Sequence, residues 1–381
     1  MLTTLPLSRN SAPAAGGPSR QLYLLLRETP DRAAANAYLQ RRLAEAAVLT
    51  PAWSGGLEGL AAWHQLRTRN RAEEFRRYLA GRADGGARRH FATLAQARRF
   101  LCVQAPALLA EGAWLHCALD HWRQPAFMPL ITLYLDYLGR GVPGANHVAQ
   151  VRQALAVQAC SNWQDLEDGS FLQGAIRLAL SCAAERYVAE LIGYQLAVAD
   201  QPAAQPSVLH ELGELGIILP SPPPSAEPVL HAVHTMAAAR PDDAAFLQRI
   251  ETGYCLGRIG LQTLPATPEY GAPQDEAAPL ATAAILARPA RPGDQAETPS
   301  SVPAAEPERP ARAILRHHFP ADEHAWETIT NDLGLLEAQI AACGSKAEAL
   351  TMLARHMGPA LHHQPLGLMA ARVYAQLFAL A

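Results

Sequence analysis

Apolar residues recur at helical spacing along most of residues 30–260. In one stretch Leu39, Leu43 and Ala46 follow one another at i, i+4 and i+7, which places them on one face of a helix. The alternation of apolar and polar residues that marks a half-buried strand is rare in the sequence. The pattern therefore predicts an all-α fold.

The most apolar of the helical blocks covers residues 100–122, and we expect it to form a central helix. Pro106 lies inside this block and should break or kink its first part, because proline lacks the backbone donor and clashes with the preceding turn. Residues 171–182 and 187–199 predict two further core helices.

Three helices are predicted in the C-terminal part, at about 323–342, 345–357 and 366–380. Ser345 and Glu348 have the spacing of a capping box. In that motif the serine side chain caps the helix and the glutamate bonds back to the capping residue's backbone. The second of the three helices should therefore begin at Ser345.

Two kinds of segment interrupt the helical pattern. Residues 219–228 are rich in proline and predict a loop, because proline cannot occupy a helix interior. Small residues and proline predict a disordered leader at 1–20, and a flexible, protease-sensitive linker at 287–312. The predicted organisation is thus a helical domain at 21–286 and a C-terminal helical segment at 313–381.

Charge and cysteine content limit the classes of function. The net charge of −3 argues against a nucleic-acid partner. The six cysteines are scattered and form no C-x-x-C pair, which favours a reducing compartment and predicts a cytoplasmic protein. No window reaches 18 apolar residues, and the first residues lack a signal-peptide core, so no membrane span is expected.

Residues 133–147 carry the most informative motif of the chain, Leu-Tyr-Leu-Asp-Tyr-Leu-Gly-Arg-Gly-Val-Pro-Gly-Ala-Asn-His. It predicts the end of one helix, a tight Gly-x-Gly-x-Pro turn, and a second helix that Asn146 caps. His147 would then lie in the first turn of the second helix.

This motif resembles a signature of the heme-oxygenase-like diiron oxidases and oxygenases, also called iron-containing redox enzymes. There a Glu, nine residues and a His bind iron; here Tyr137 stands in place of the Glu, and His147 is in place. The resemblance covers about residues 25–260 and implies a heme-oxygenase-like helical bundle with a C-terminal helical extension. The other matching blocks are Phe100–Pro106 leading into Glu111–Leu115, Phe171–Leu180, Glu190–Leu196, Glu211–Ile217, and Phe246–Ile250 with Gly253–Tyr254.

The resemblance implies four metal ligands, Glu111, His147, Glu190 and His231, with Tyr137 lining the pocket. The family's His-x-x-x-Asp pair is absent, because the proline run follows Ile217 instead. Carboxylate and imidazole ligands suit non-heme iron, and facing helices of a bundle can supply them. Two outcomes stay open: an incomplete diiron site reduced to a two-His-one-carboxylate site, or no metal at all.

Two other pairs have helical i, i+4 spacing. His318 and Asp322 could form a second metal site, but Pro320 between them argues against a continuous helix. His116 and Asp120 are interpreted as a helix-stabilising pair rather than as metal ligands.

Two functions follow from this resemblance. The loss of a carboxylate and of the His-Asp pair favours a degenerate member of the family, a non-catalytic partner or scaffold that forms a homo- or heterodimer. The alternative is an active non-heme iron oxidase or oxygenase that acts with dioxygen on a small amine, amino acid or fatty-acid-like substrate. Iron is the cofactor that the resemblance implies; its binding should be weak or absent.

Overall fold

The computed structural model describes residues 17–50, 53, 56–182, 186–200, 205–223, 226–239, 244–262, 315–316, 319 and 323–379. Within these ranges the chain forms α-helices and short 3₁₀ helices and no strand, which confirms the all-α prediction. The predicted linker at 287–312 lies outside the described residues. Of the predicted leader only residues 17–20 are described, and a helix already begins at Pro18.

Fourteen α-helices are present in these ranges. The first seven are α1 (Pro18–Glu28), α2 (Arg32–Ala46), α3 (Gly56–Ala83), α4 (Leu94–Leu108), α5 (Met128–Tyr137), α6 (His147–Val157) and α7 (Asp168–Cys182). The others are α8 (Val188–Asp200), α9 (Pro206–Glu214), α10 (Ala226–Ala238), α11 (Ala244–Gln262), α12 (Glu323–Ala342), α13 (Lys346–His356) and α14 (Pro365–Ala379). The 3₁₀ helices are Ala113–His121, Pro125–Phe127, Gly139–Gly141, Pro143–Ala145 and Asn162–Asp165.

Helices α7 and α8 form the centre of the bundle, since nearly all of their side chains are buried. Around α7 pack α1, α2, α4 and the 3₁₀ helix Ala113–His121, and α8 packs most extensively against α11. Both central helices were predicted from their continuous apolar runs. None of the described helices combines the length and apolarity that crossing a membrane would require.

The predicted central helix at 100–122 is wrong in its second half. Helix α4 accommodates Pro106 and ends two residues later, at Leu108. The chain then turns at Gly112, whose φ of 79° is in the left-handed region, and continues as a 3₁₀ helix to His121. A Cβ at this glycine would lie only 2.8 Å from Cγ of Tyr137, so the turn that follows α4 packs directly against α5.

The predicted turn between α5 and α6 is present. The Asn146 side chain caps α6 by accepting a hydrogen bond from the backbone N–H of Ala149 at 3.0 Å. The same side chain donates to the carbonyl of Leu138 at 3.3 Å and to that of His362 at 3.2 Å. One side chain therefore joins the helix start to the preceding turn and to the C-terminal segment.

Helices α12–α14 confirm the predicted C-terminal helices and pack against the bundle. The Tyr134 hydroxyl donates to the carbonyl of Met357 at 2.5 Å, and Nε2 of His116 lies 3.0 Å from the carbonyl of Ala354. Half of the predicted capping box is present, since the Ser345 hydroxyl accepts from the N–H of Glu348. The Glu348 carboxylate, however, accepts from the N–H of Gly344 rather than from that of Ser345. Side chains of all three helices belong to the hydrophobic core of the bundle, while Leu315, Trp326, Leu333 and Leu368 form a second, smaller cluster.

Candidate functional site

A buried ion pair lies at the centre of the bundle. Arg177, in α7, is fully buried, and its Nη1 donates to Oε2 of Glu111 and, at 2.6 Å, to the carbonyl of Ala107. Its Nε donates to the Tyr194 hydroxyl at 3.1 Å. A buried charge is tolerated only when it is paired and hydrogen-bonded. The three acceptors partner Nη1 and Nε of Arg177, whereas Nη2 is buried without a hydrogen-bond partner among the described residues.

Aromatic side chains surround the pair. The Arg177 guanidinium lies over the Trp114 ring, with its central carbon 4.9 Å from the ring centroid, within the range of a cation–π interaction. The Trp114 ring contacts Tyr194 and Tyr137 edge to face, at centroid distances of 5.3 Å and 6.0 Å. Its indole N–H donates to Oε1 of Gln195 at 2.6 Å, which fixes the ring under the guanidinium.

Burial controls the ionisation of these groups. It raises the pKa of Glu111, and the charge of Arg177 acts in the opposite direction. Burial lowers the pKa of Arg177, but Glu111, Tyr194 and Tyr137 together outweigh burial and raise the pKa, so the guanidinium stays charged. Burial and the nearby Glu111 charge raise the pKa of Tyr137 well above its ordinary value. The phenol of Tyr137 is therefore protonated and neutral at physiological pH.

His147 lies beside this cluster. It is the first residue of α6 and is buried, and its ring meets that of Tyr137 edge to face at a centroid distance of 5.7 Å. Burial, together with the positive charge of Arg177, lowers the pKa of His147 to about 3. Three of the residues singled out in the sequence, Glu111, Tyr137 and His147, therefore surround one arginine, and the imidazole is neutral.

The other two predicted ligands, Glu190 and His231, make different contacts. Glu190, in α8, is buried and accepts two hydrogen bonds of 2.7 Å from Nε and Nη2 of Arg249, in α11. His231, in α10, is exposed and lines an open cavity of about 940 Å³ with His64 and Glu227. That Glu111, His147, Glu190 and His231 form one site stays a prediction; the described contacts give Glu190 and His231 other neighbours.

The residues present do not fit the iron that the resemblance implies. Among the described residues no group of three or more His, Cys, Asp or Glu side chains is arranged to hold a metal ion. Glu111 is bound by a cation that would repel iron, and Tyr137 carries a proton. The second metal site predicted at His318 and Asp322 lies outside the described residues.

Arg177 is the central residue that the sequence analysis missed. Its signal was present, since it is the only charged residue in the apolar run 171–180. A lone arginine on an apolar helix must find a buried partner. The sequence does not say which carboxylate that partner is, because Glu111 lies 66 positions away.

Comparisons with protein-family models, with characterised proteins and with solved structures gave no match to this chain. Inferences about function therefore rest on the side chains around Arg177 and on their chemistry.

Proposed function

We propose that this chain is a non-catalytic relative of the heme-oxygenase-like diiron enzymes that acts in the cytoplasm as a helical partner or scaffold. One observation carries the proposal: the buried guanidinium of Arg177 binds Glu111 beside Tyr137 and His147. The resemblance implies Glu111 and His147 as metal ligands, and Tyr137 stands where the family has a ligand Glu. The Arg177 guanidinium, which is part of the chain itself, stabilises the charge of the Glu111 carboxylate, the group that an iron ion would need as a ligand.

The charges of Glu111 and Arg177 argue against iron binding at this site. An incoming iron ion would have to displace Arg177 from Glu111, and separating a buried ion pair costs about 3–5 kcal/mol. The displaced guanidinium would remain buried and charged, next to a second cation. Tyr137 would also have to lose a proton that burial and Glu111 hold firmly. Each step opposes metal binding, and dioxygen activation by this family of enzymes depends on the metal.

The C-terminal segment supports a structural role. It is held against the turn that precedes His147 through Asn146 and His362, and against α5 through Tyr134 and Met357. These contacts favour a rigid helical body over one that opens for a substrate. The partner in this proposal is a second copy of the chain or another protein, and light scattering of the purified full chain would distinguish the homodimer from a protein that needs a different partner.

Metal analysis tests the proposal directly. The full chain is produced with iron supplementation, and its iron content and dioxygen uptake are measured, followed by anaerobic titration with iron(II). We expect no iron above the level of a metal-free control protein and no dioxygen uptake. An Arg177→Leu variant, which frees the Glu111 carboxylate, serves as the matched comparison and should bind iron(II) more tightly than the wild type.

The opposite result supports the alternative function. Wild-type protein that holds a stoichiometric amount of iron and consumes dioxygen would contradict the scaffold proposal. It would instead favour an oxidase or oxygenase acting on a small amine, amino acid or fatty-acid-like substrate. Arg177 would then have to move away from Glu111 when iron binds, which a spectroscopic comparison of the wild type and Arg177→Leu would detect.

A further inference from the structure

Helix α3 and the loop that follows it carry a concentration of positive charge that the net charge of the whole chain conceals. Residues 67–89 contain eight arginines and three acidic residues, whereas the complete sequence has a net charge of −3. The residues around Arg177 do not include any of this segment. The function of the basic segment is therefore a separate question.

A cavity of about 360 Å³ opens between α3, the end of α8 and the start of α9. Three guanidinium groups line it, those of Arg67, Arg71 and Arg89, together with the rings of Phe75 and Tyr78. A second, more open cavity of about 790 Å³ adjoins it, shares Tyr78 and Arg89, and adds two further arginines, Arg77 and Arg82. Glu74 lines both cavities, and two of the lining arginines have acidic partners, Arg77 with Glu73 and Arg82 with Glu214. Arginines still outnumber the acidic lining residues, so the pair of cavities forms a basic groove with aromatic residues in its lining.

The carboxylate of Asp200 holds two of these arginines, Arg67 and Arg71, in place. Arg67 donates from Nε and Nη2 to the buried Asp200 carboxylate at 3.0 Å and 3.3 Å. Arg71 donates to the carbonyl of Ala199 at 2.9 Å and lies 3.8 Å from the same carboxylate. Two guanidinium groups share one carboxylate, so one positive charge is left over. About a third of each arginine side chain remains exposed, at 39% and 31%, which leaves the groups accessible from the cavity.

The opposite wall is also preorganised. The buried Glu211 carboxylate accepts hydrogen bonds from the backbone N–H groups of Arg89, His90 and Phe91, and from the Tyr78 hydroxyl. This fixes the loop that carries Arg89. The guanidinium of Arg89 lies over the Tyr78 ring at 5.4 Å and makes only a loose, exposed contact of 3.4 Å with Glu74. Such an exposed ion pair is weak and can be exchanged for an anionic ligand.

The shape and chemistry of the groove select a class of ligand. Arginine forks match the oxygen geometry of phosphate. Phe75 is half-buried in the lining and stacks on the buried Tyr78 ring at a centroid distance of 6.2 Å, which gives the cavity an aromatic side chain that a flat ring could contact. A cavity of this size lies within the range of small-molecule sites. The first turn of α9, at Ser207, adds a helix dipole of the sign that favours anions. We propose that this groove binds a phosphorylated small molecule that carries a flat ring, of the size of a mononucleotide.

Binding of adenosine 5′-monophosphate to the full chain, measured by calorimetry at low and at high salt, tests this site. Adenosine and inorganic phosphate serve as part-ligands. We expect the monophosphate to bind more tightly than either part. Arg89→Gln should weaken its binding roughly tenfold, because a charge-assisted hydrogen bond is lost. Phe75→Leu should weaken binding of the monophosphate while leaving that of inorganic phosphate unchanged.

Arg76→Gln is the matched control. It removes the same charge from the same helix, but Arg76 is exposed, pairs with Glu73 and does not line the cavity. The Arg76→Gln variant should bind the monophosphate as tightly as the wild type does. Equal weakening by Arg76→Gln and Arg89→Gln would overturn the proposal, because it would show a general charge effect. No binding of the monophosphate would also overturn it, and binding of an oligonucleotide alone would assign the surface to nucleic acid instead.

Discussion

The buried ion pair between Glu111 and Arg177 permits a quantitative test by a double-mutant cycle. The two single variants are Glu111→Leu, which leaves a guanidinium without its carboxylate, and Arg177→Met, which leaves a carboxylate without its guanidinium. The double variant Glu111→Leu/Arg177→Met replaces the pair by apolar side chains of similar size. Each variant changes only side chains that are almost completely buried.

The magnitudes follow from the burial of both groups. Removing one partner of a buried pair costs about 3–5 kcal/mol of unfolding free energy, because the other charge remains without compensation. We expect Glu111→Leu to be the more damaging change, since Arg177 cannot lose its charge, whereas Glu111 can take up a proton. The double variant should lie within about 2 kcal/mol of the wild type, because burying apolar groups carries no desolvation penalty.

Urea unfolding followed by far-UV circular dichroism gives the four free energies. Arg177→Met should also become less stable as the pH rises, since burial raises the pKa of Glu111 and its ionisation in the folded protein is then unfavourable. A double variant destabilised by the sum of the two single effects would refute the reasoning, because it would show that the two side chains do not stabilise each other.

Three further predictions concern packing, pH and metal affinity. Gly193→Ala should destabilise the protein by about 1–3 kcal/mol in thermal unfolding, because the added Cβ would overlap the backbone of α11. Gly213→Ala is the control, since the space around Gly213 is open, and this variant should be neutral or stabilising. The pKa of His147 is about 3 in the folded protein, so the free energy of unfolding should be constant above about pH 6.5 and should fall as the pH decreases below that value, by about 2 kcal/mol at pH 5. Urea unfolding at several pH values measures this decrease, and His147→Leu should abolish it. In iron(II) titrations, Tyr137→Glu combined with Arg177→Leu should bind more tightly than Tyr137→Glu alone, and equal affinities would show that Arg177 does not oppose the metal.

Local sequence patterns determined most of the helices. Periodic apolar residues and capping residues act within a few positions, so the sequence predicted α7, α8, the C-terminal helices, and the turn from α5 into α6 with Asn146 as its cap. The prediction was wrong where a distant contact decides the geometry. Residues 109–112 interrupt the expected central helix at Gly112, against Tyr137.

Only the tertiary structure decided which polar residues meet. The sequence singled out Glu111, Tyr137 and His147, but it did not identify Arg177 as the cation beside them, nor Arg249 as the partner of Glu190. Burial is the physical reason: a carboxylate enclosed in the bundle needs a positive partner, and helix packing, rather than spacing along the chain, determines whether an arginine or a metal ion supplies it.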